Sequence, residues 1–162
     1  MRTYDEITGA VLDAAIKIHS TFGPGMLESV YEKLLAAEMK KRGFIVESQK
    51  DISFEYDGMF FKDAFRLDLL IDGKVVVELK STEKNIPVYH KQVKTYLKIL
   101  KIPVGLLINF GMATLKEGFA RIVNNFDPSQ SNLRINQKDP DTNNLRLSAS
   151  PREIFTEGGL LK

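Results

Sequence analysis

The sequence predicts an α/β fold in which helices flank a mixed central sheet. Three observations lead to this prediction: helical periodicity near the N-terminus, alternating strand patterns joined by Asp-Gly turns, and a wholly apolar strand after a later helix. With 162 residues, the chain is long enough for one ordinary domain and short for two. We therefore expect one domain over residues 1–126 and a polar tail over residues 127–162.

The first two predicted elements are helices. Apolar residues recur at helical spacing over residues 4–20, and the Gly-Pro-Gly sequence at residues 23–25 ends this helix. A second helix is predicted to begin near Met26. It ends at Gly43, because cations in a last turn followed by glycine are typical of a helix C-terminus.

Strands and one further helix complete the predicted domain. The first three strands are predicted over residues 44–56, 60–71 and 74–81. Their short turns make them antiparallel neighbours. A helix over residues 88–100 then returns the chain to the apolar strand at 103–110. This strand should lie parallel to its neighbour through a right-handed crossover, with an edge strand over 119–126.

The last 36 residues differ in composition from the rest of the chain, because Asn, Ser, Asp and Pro dominate them. Little apolar surface is available there to offset the entropy lost on ordering, so we expect a flexible tail. The similar segments SNLRIN and NNLRLS leave a small hairpin as the alternative.

Composition excludes several kinds of site. The chain has no cysteine, which excludes disulfides and thiolate metal sites and suits a cytoplasmic protein. We expect neither a signal peptide nor a membrane span, because no apolar run is long and continuous enough. The formal net charge is +2, so any contact with nucleic acid must come from a local patch.

Three charged residues interrupt the apolar strands of the segment RLDLLIDGKVVVELK: Asp68, Glu78 and Lys80. Building a core does not explain them, because a buried unpaired charge costs several kcal/mol, as an order of magnitude. Alternation places Glu78 and Lys80 on one face. Asp68 joins them only if the Asp-Gly turn at residues 72–73 is a three-residue loop with a bulge. A two-residue turn would place Asp68 opposite Val77 on the other face. The functional interpretation therefore requires the bulged turn.

Two carboxylates that converge near a lysine can form a cation site beside a fixed ammonium group. Oxygen ligands of this kind suit Mg²⁺ or Mn²⁺ together with substrate phosphate oxygens. Such a cation and lysine can activate water and stabilise charge in phosphoryl transfer. An exposed ion pair at a strand end is, however, the commoner meaning of an isolated Glu-x-Lys, so neighbouring elements must support the functional interpretation.

The helices contribute further candidates. In the helix at 88–100, Gln92 flanks the apolar face one turn before Tyr96, and the opposite face carries a lysine stripe. The stripe comprises Lys91, Lys94, Lys98 and Lys101. It is either the solvated side of the helix or a phosphate-binding surface. In the second helix, Glu28 is either a helix-dipole residue or a site residue, and Glu38 is expected to pair with Arg42.

These residues, in this order and spacing, resemble a known superfamily. Asp68, then Glu78-x-Lys80, then Gln92-x-x-x-Tyr96 resembles the PD-(D/E)xK nucleases, in their RecB-like branch. The residue before Asp68 is leucine, although the motif name has proline there.

The segment GPGMLESVYEKLLAAEMKKRGF, with Gly25-x-x-Glu28-x-x-Tyr31, resembles more narrowly the GxxExxY family within that superfamily. The similarity extends over about residues 7–126 and leaves the tail outside it.

The resemblance implies a restriction-endonuclease-like core and a metal site. It implies Asp68 and Glu78 as ligands of Mg²⁺ or Mn²⁺, completed by the backbone carbonyl of Leu79, with Glu28 as a first-helix acid and a further candidate ligand. Lys80 would be the catalytic lysine.

Supporting roles also follow from the resemblance. Gln92 and Tyr96 would support the site or contact the substrate, and His19 and His90 would pack the helices or contact phosphate.

The implied function is hydrolysis of nucleic acid, with DNA expected over RNA. A homodimer or a protein partner is a further expectation. The alternative is a binding module that keeps the fold and has no turnover of its own.

Overall fold

The computed structural model of the protein describes residues 1–125, together with the backbone of two short strands at Leu133–Asn136 and Arg146–Ala149. The helices are α1 (Tyr4–Phe22), α2 (Glu28–Lys41), α3 (Pro87–Leu100) and the short α4 (Leu115–Gly118). The strands are β1 (Val46–Tyr56), β2 (Met59–Ile71), β3 (Val75–Lys80), β4 (Val104–Asn109), β5 (Phe119–Val123), β6 (Leu133–Asn136) and β7 (Arg146–Ala149). Within the described residues, no helix is both long and apolar enough to cross a membrane.

The central sheet has five strands in the order β1-β2-β3-β4-β5. The first three strands pair antiparallel, as short turns require, while β4 runs parallel to β3 after the crossover through α3. The edge strand β5 returns antiparallel to β4. The predicted mixed sheet is therefore confirmed, and the carboxyl end of β3 lies beside that of β4.

Each face of the sheet packs on its own apolar core. On one face, α1 and α2 contribute buried residues such as Val11 and Leu35, which pack against Val77 of β3. On the other face, Val93 and Leu97 of α3 pack against Val76, Leu70 and Leu107. Because β3 is covered on both sides, the charged residues of its second half lie under helices and not in open solvent.

The turn between β2 and β3 decides whether the three charged residues meet. Ile71 pairs with Val75, so the loop has three residues, of which Asp72 and Gly73 have φ values of 50° and 65°. The N–H of Lys74 closes the loop by donating to the Ile71 carbonyl at 2.9 Å. This register brings Asp68 opposite Glu78, on the same face of the sheet, as the functional interpretation required.

Several element bounds differ from the sequence prediction: β1 begins at Val46, two residues late, and β5 ends at Val123, three residues early. Helix α2 begins at Glu28 and not near Met26, because Leu27 is extended and its carbonyl accepts the first helical N–H groups. Helix α4 is not anticipated by any periodicity, because it has only four residues. The Glu117 carboxylate accepts the Thr114 N–H at 3.3 Å, and the Glu117 N–H donates to the Thr114 carbonyl where this helix begins.

Part of the predicted tail can be compared with the structure. Strands β6 and β7 pair antiparallel, with Leu133 opposite Ala149, which agrees with the hairpin alternative. The other residues from 126 onward lie outside the described part of the chain. The boundary at residue 126 and the flexibility of the tail therefore remain predictions.

Candidate active site

Glu78 is the most unusual charged residue of the fold, because only 3% of it is exposed. It lies on the α3 side of the sheet, two residues after the core residue Val76. Its Oε1 accepts a hydrogen bond from the Nζ of Lys80 at 2.6 Å. Its Oε2 is buried and has no hydrogen-bond partner among the described residues. Because an unsatisfied buried acceptor is costly, this oxygen is suited to contact a cation or a hydrogen-bond donor.

The electrostatics of the Glu78–Lys80 pair differ from those of an ordinary surface ion pair. Burial, and then the charge of Asp68, raise the pKa of Glu78 to about 7, although Lys80 opposes this shift. Burial tends to lower the pKa of Lys80, but the carboxylates of Glu78, Glu28 and Asp68 outweigh it and raise that pKa. Lys80 is therefore an ammonium group at neutral pH. Its Nζ also lies 5.2 Å above the ring centroid of Tyr89.

Asp68 reaches the same region from β2. Its Oδ2 accepts the backbone N–H of Leu79 at 2.8 Å, and its Oδ1 lies 3.4 Å from the Nε2 of Gln49. The ladder between β2 and β3 ends at Leu69 and Val77, so the carboxylate substitutes for a backbone acceptor where the strands separate. Asp68 thus lies beside Glu78 and Lys80, as the turn predicted, and is half-buried at a cleft.

Glu28 approaches from the first turn of α2. Burial raises its pKa, Lys80 lowers it and Asp68 raises it, so all three groups belong to one electrostatic cluster. Two clefts flank Glu28. One, of about 570 Å³, is lined by Glu28, Glu32 and Asp68, and the other, of about 530 Å³, by Glu28 and Ser81. Glu28 therefore lies near Asp68 and Lys80, and its role as a site residue stays a prediction.

Tyr31 holds the loop that presents Glu28. Its hydroxyl donates to the Gly23 carbonyl at 2.5 Å and accepts the Met26 N–H at 3.2 Å. Its buried ring stacks on Phe110 with centroids 4.3 Å apart. Gly25, with φ of 120°, allows the loop to turn where an L side chain would be strained. In the spacing Gly-x-x-Glu-x-x-Tyr, Gly25 therefore allows the loop to turn, Glu28 is the acid that follows the loop, and Tyr31 anchors the loop.

Gln92 and Tyr96 lie together on α3. The Nε2 of Gln92 donates to the Tyr96 hydroxyl at 2.6 Å, and the Tyr96 ring stacks on Phe65 at 4.4 Å. Burial raises the pKa of Tyr96, the Gln92 hydrogen bond lowers it, and the charge of Glu78 raises it further. Tyr96 therefore lies within electrostatic reach of the carboxylates, and the supporting role of Gln92 and Tyr96 stays a prediction.

The remaining predicted candidates lie in different surroundings. The Nε2 of His19 donates a hydrogen bond to the Met112 carbonyl at 3.0 Å, and His90 is exposed on α3. The stripe residues Lys91, Lys94 and Lys98 are exposed. Glu38 pairs with Arg42 as expected.

Glu32 and Gln49 were not anticipated as site residues. The Nε2 of Gln49 donates to the Oε2 of Glu32 at 2.7 Å and also faces Asp68. Burial raises the pKa of Glu32, Gln49 lowers it, and the charges of Asp68 and Glu28 raise it again. Glu32 could have been identified, because it follows Glu28 by one helical turn. Nothing in the sequence pointed to Gln49.

The donor set suits a hard divalent cation. No group of three or more histidine, aspartate or glutamate residues in the described part of the chain forms a ready-made metal site. Asp68 and Glu78 instead supply two carboxylates, and a buried oxygen of Glu78 has no hydrogen-bond partner in the described part of the chain. Mg²⁺ commonly binds through one or two carboxylates and completes its shell with water and substrate oxygens. The residues therefore fit such an ion.

Comparison with known proteins agrees with this geometry. A family model of the PD-(D/E)XK nuclease superfamily matches residues 5–122. The chain belongs to this superfamily. The match spans all the site residues described above and agrees with the restriction-endonuclease-like α/β core. No curated protein and no solved structure gives a significant match.

Proposed function

We propose that this member of the PD-(D/E)XK superfamily is a nuclease that hydrolyses phosphodiester bonds in DNA with Mg²⁺ or Mn²⁺. One observation supports the proposal above all others. Among residues 1–125, the Oε2 of the buried Glu78 has no hydrogen-bond partner, although the charged groups of Asp68 and Lys80 lie beside it. A cation and a phosphate would satisfy these groups.

Asp68 and Glu78 would hold the metal, completed by the backbone carbonyl of Leu79, with Glu28 at the edge of the cluster. When bound, the ion would polarise a phosphoryl oxygen and lower the pKa of a water molecule. The N–H of Leu79 fixes one oxygen of Asp68, which leaves further lone pairs of that carboxylate available.

Lys80 would serve as a fixed cation. Glu78 and the Tyr89 ring hold its ammonium group under α3, where it can orient the attacking water or stabilise negative charge on the pentavalent phosphorus. Gln92 and Tyr96 would form the supporting wall of the site, because the stacked and hydrogen-bonded Tyr96 cannot easily rotate away.

We further propose that the chain belongs to the GxxExxY group within the RecB-like branch. The roles of Gly25, Glu28 and Tyr31 in presenting the acidic loop support this assignment. A cytoplasmic location, and association with a second copy or a protein partner, remain predictions from the sequence.

The test is a cleavage assay of the full chain on linear, nicked, supercoiled and single-stranded DNA and on RNA. Each substrate is incubated with Mg²⁺, with Mn²⁺ and with EDTA. We expect metal-dependent cleavage of DNA by the wild type, and loss of cleavage in Glu78→Gln and Lys80→Ala. Lys80→Gln adds a control for folding, because it keeps a donor for Glu78 but removes the charge. Lys40→Ala, in the exposed last turn of α2, should cleave as the wild type does.

Each other outcome has a definite meaning. Cleavage of RNA alone would correct the substrate, and undiminished cleavage in both Lys80 variants would contradict the catalytic assignment. Metal binding at the carboxylates without cleavage of any substrate would replace the proposal with a catalytically silent binding module.

A further inference from the structure

Gln49 occupies an unusual place for a residue in the middle of a strand. Its φ is 52°, in the left-handed region that residues other than glycine seldom adopt. The pairs Ser48–Leu69 and Lys50–Leu67 on either side of it keep regular register, so Gln49 lies directly across from Asp68. The strained residue of β1 is thus the cross-strand neighbour of a proposed metal ligand.

The strand opposite Gln49 is irregular at the same point. Leu67 packs in the core under α3, whereas Leu69 packs in the core under α1 and α2. In a regular strand, residues two apart share a face, so the alternation breaks at Asp68. Unpaired or irregular positions of this kind often aim a side chain near an active site.

The side chain of Gln49 bridges two carboxylates. Its Nε2 lies 2.7 Å from the Oε2 of Glu32 and 3.4 Å from the Oδ1 of Asp68. An amide nitrogen carries two hydrogens, so it can donate to both oxygens, whereas the flipped amide would place its oxygen against both acceptors. The chemistry therefore fixes the orientation of the amide.

Asp68 is held at both oxygens as a result. The Leu79 N–H engages Oδ2 from β3, and the Gln49 amide engages Oδ1 from β1. Glu32 anchors that amide from α2. Three elements therefore converge on one carboxylate, and neither donor carries a charge that would compete with a cation.

We propose that Gln49 is a positioning residue, which Glu32 anchors and which sets the orientation of the Asp68 carboxylate for metal binding. This inference rests on the proposed function, because it assumes that Asp68 is a metal ligand. Gln49 acts through Asp68, and Glu32 acts through Gln49.

The test measures Mn²⁺ affinity of the full chain by isothermal titration calorimetry, without nucleic acid. Gln49→Leu keeps the bulk of the side chain and removes both donors. Loss of a residue that orients a metal ligand commonly weakens metal affinity 10–100-fold, and the long 3.4 Å contact places the expected loss at about tenfold. Asp68→Asn should weaken binding much further.

Gln49→Gly distinguishes the effect of losing the side-chain amide from the effect of backbone strain. Glycine adopts a φ of 52° without strain, whereas leucine keeps the strain of the native residue. Thermal melts of the metal-free variants should therefore rank Gln49→Gly above Gln49→Leu in stability. Their Mn²⁺ affinities should nevertheless fall equally, because both lack the amide. If the more stable of the two variants instead kept the higher Mn²⁺ affinity, the proposal would be overturned.

Glu32 offers a second, independent comparison. Glu32→Gln keeps a carbonyl oxygen that can accept the Gln49 N–H, so Mn²⁺ affinity should stay near that of the wild type. Glu32→Leu removes the acceptor and should reproduce the loss seen in Gln49→Leu. Equal losses in both Glu32 variants would show that the charge of Glu32 acts directly on the metal, which contradicts an anchoring role.

The outcomes also separate this inference from the proposed function. Wild-type affinity in Gln49→Leu, with binding lost in Asp68→Asn, would overturn the positioning role alone. Absence of Mn²⁺ binding by the wild type would overturn the metal site and the positioning role together.

Discussion

The buried carboxylate of Glu78 should make the metal-free protein less stable as the pH rises. Because the folded state raises the pKa of Glu78 from 4.5 to about 7, the folded protein keeps a proton that the unfolded chain has released in this window. A raised acid pKa favours folding at low pH, and this contribution is lost as the pH passes the folded-state value. The charged groups that act on the pKa of Glu78 are Asp68, Lys80 and Glu28. A comparison of the wild type with Glu78→Gln therefore measures the combined effect of burial and of these three charges.

The size of the effect follows from the shift. At about 1.4 kcal/mol for each pKa unit, the change from 4.5 to about 7 corresponds to about 3 kcal/mol, as an order of magnitude. Urea denaturation in EDTA, from about pH 4.5 to about pH 8, measures the free energy of unfolding. Relative to Glu78→Gln, the wild type should lose about 3 kcal/mol of stability over this range.

Glu38→Gln provides a control, because the pKa of Glu38 is shifted in the opposite direction to that of Glu78. Hydrogen bonds from Lys17 and Arg42 lower the pKa of Glu38, so it is ionised in both states across most of the window. Its difference from the wild type should therefore change little with pH above the unfolded-state value. Parallel curves for the wild type and Glu78→Gln would refute the reasoning, because Glu78 would then titrate alike in the folded and unfolded chains.

Two further predictions concern the stability of the fold. Tyr31→Phe leaves the Gly23 carbonyl and the Met26 N–H without their partner, so urea denaturation should show a loss of about 1–2 kcal/mol; an unchanged midpoint would contradict the anchoring role. Gly118→Ala would place a Cβ 2.1 Å from the Asn109 carbonyl oxygen, so the backbone must move and the free energy of unfolding should fall by about 1–3 kcal/mol. A thermal melt that matches the wild type would show that this contact relaxes at no cost.

The relative positions of Asp68, Glu78 and Lys80 could be predicted because successive side chains of a strand alternate between the two faces of a sheet. The alternation of β3 placed Glu78 and Lys80 together, and the requirement that Asp68 join them selected the three-residue turn that the structure contains. Strand and helix order followed from hydrophobic periodicity and Asp-Gly turns. These features depend on local sequence, so they can be read before any packing is known.

The surroundings of Asp68 could not be predicted in the same way. The left-handed φ of Gln49 arises where β1, β2 and α2 meet, and a glutamine within a strand gives no local sign of it. The start of α2 at Glu28 likewise depends on the Tyr31 hydroxyl holding the preceding loop. Tertiary contacts override local preference at these positions, which is common at functional sites.

A time course of DNA cleavage by the wild type and Lys80→Gln, with Mn²⁺ and with EDTA, tests directly whether this protein is a metal-dependent nuclease. We expect that the wild type cuts DNA only with the metal, and that the variant folds but does not cut. Equal cleavage by both proteins, or cleavage that persists in EDTA, would contradict the assignment of Asp68, Glu78 and Lys80 as a metal-dependent active site.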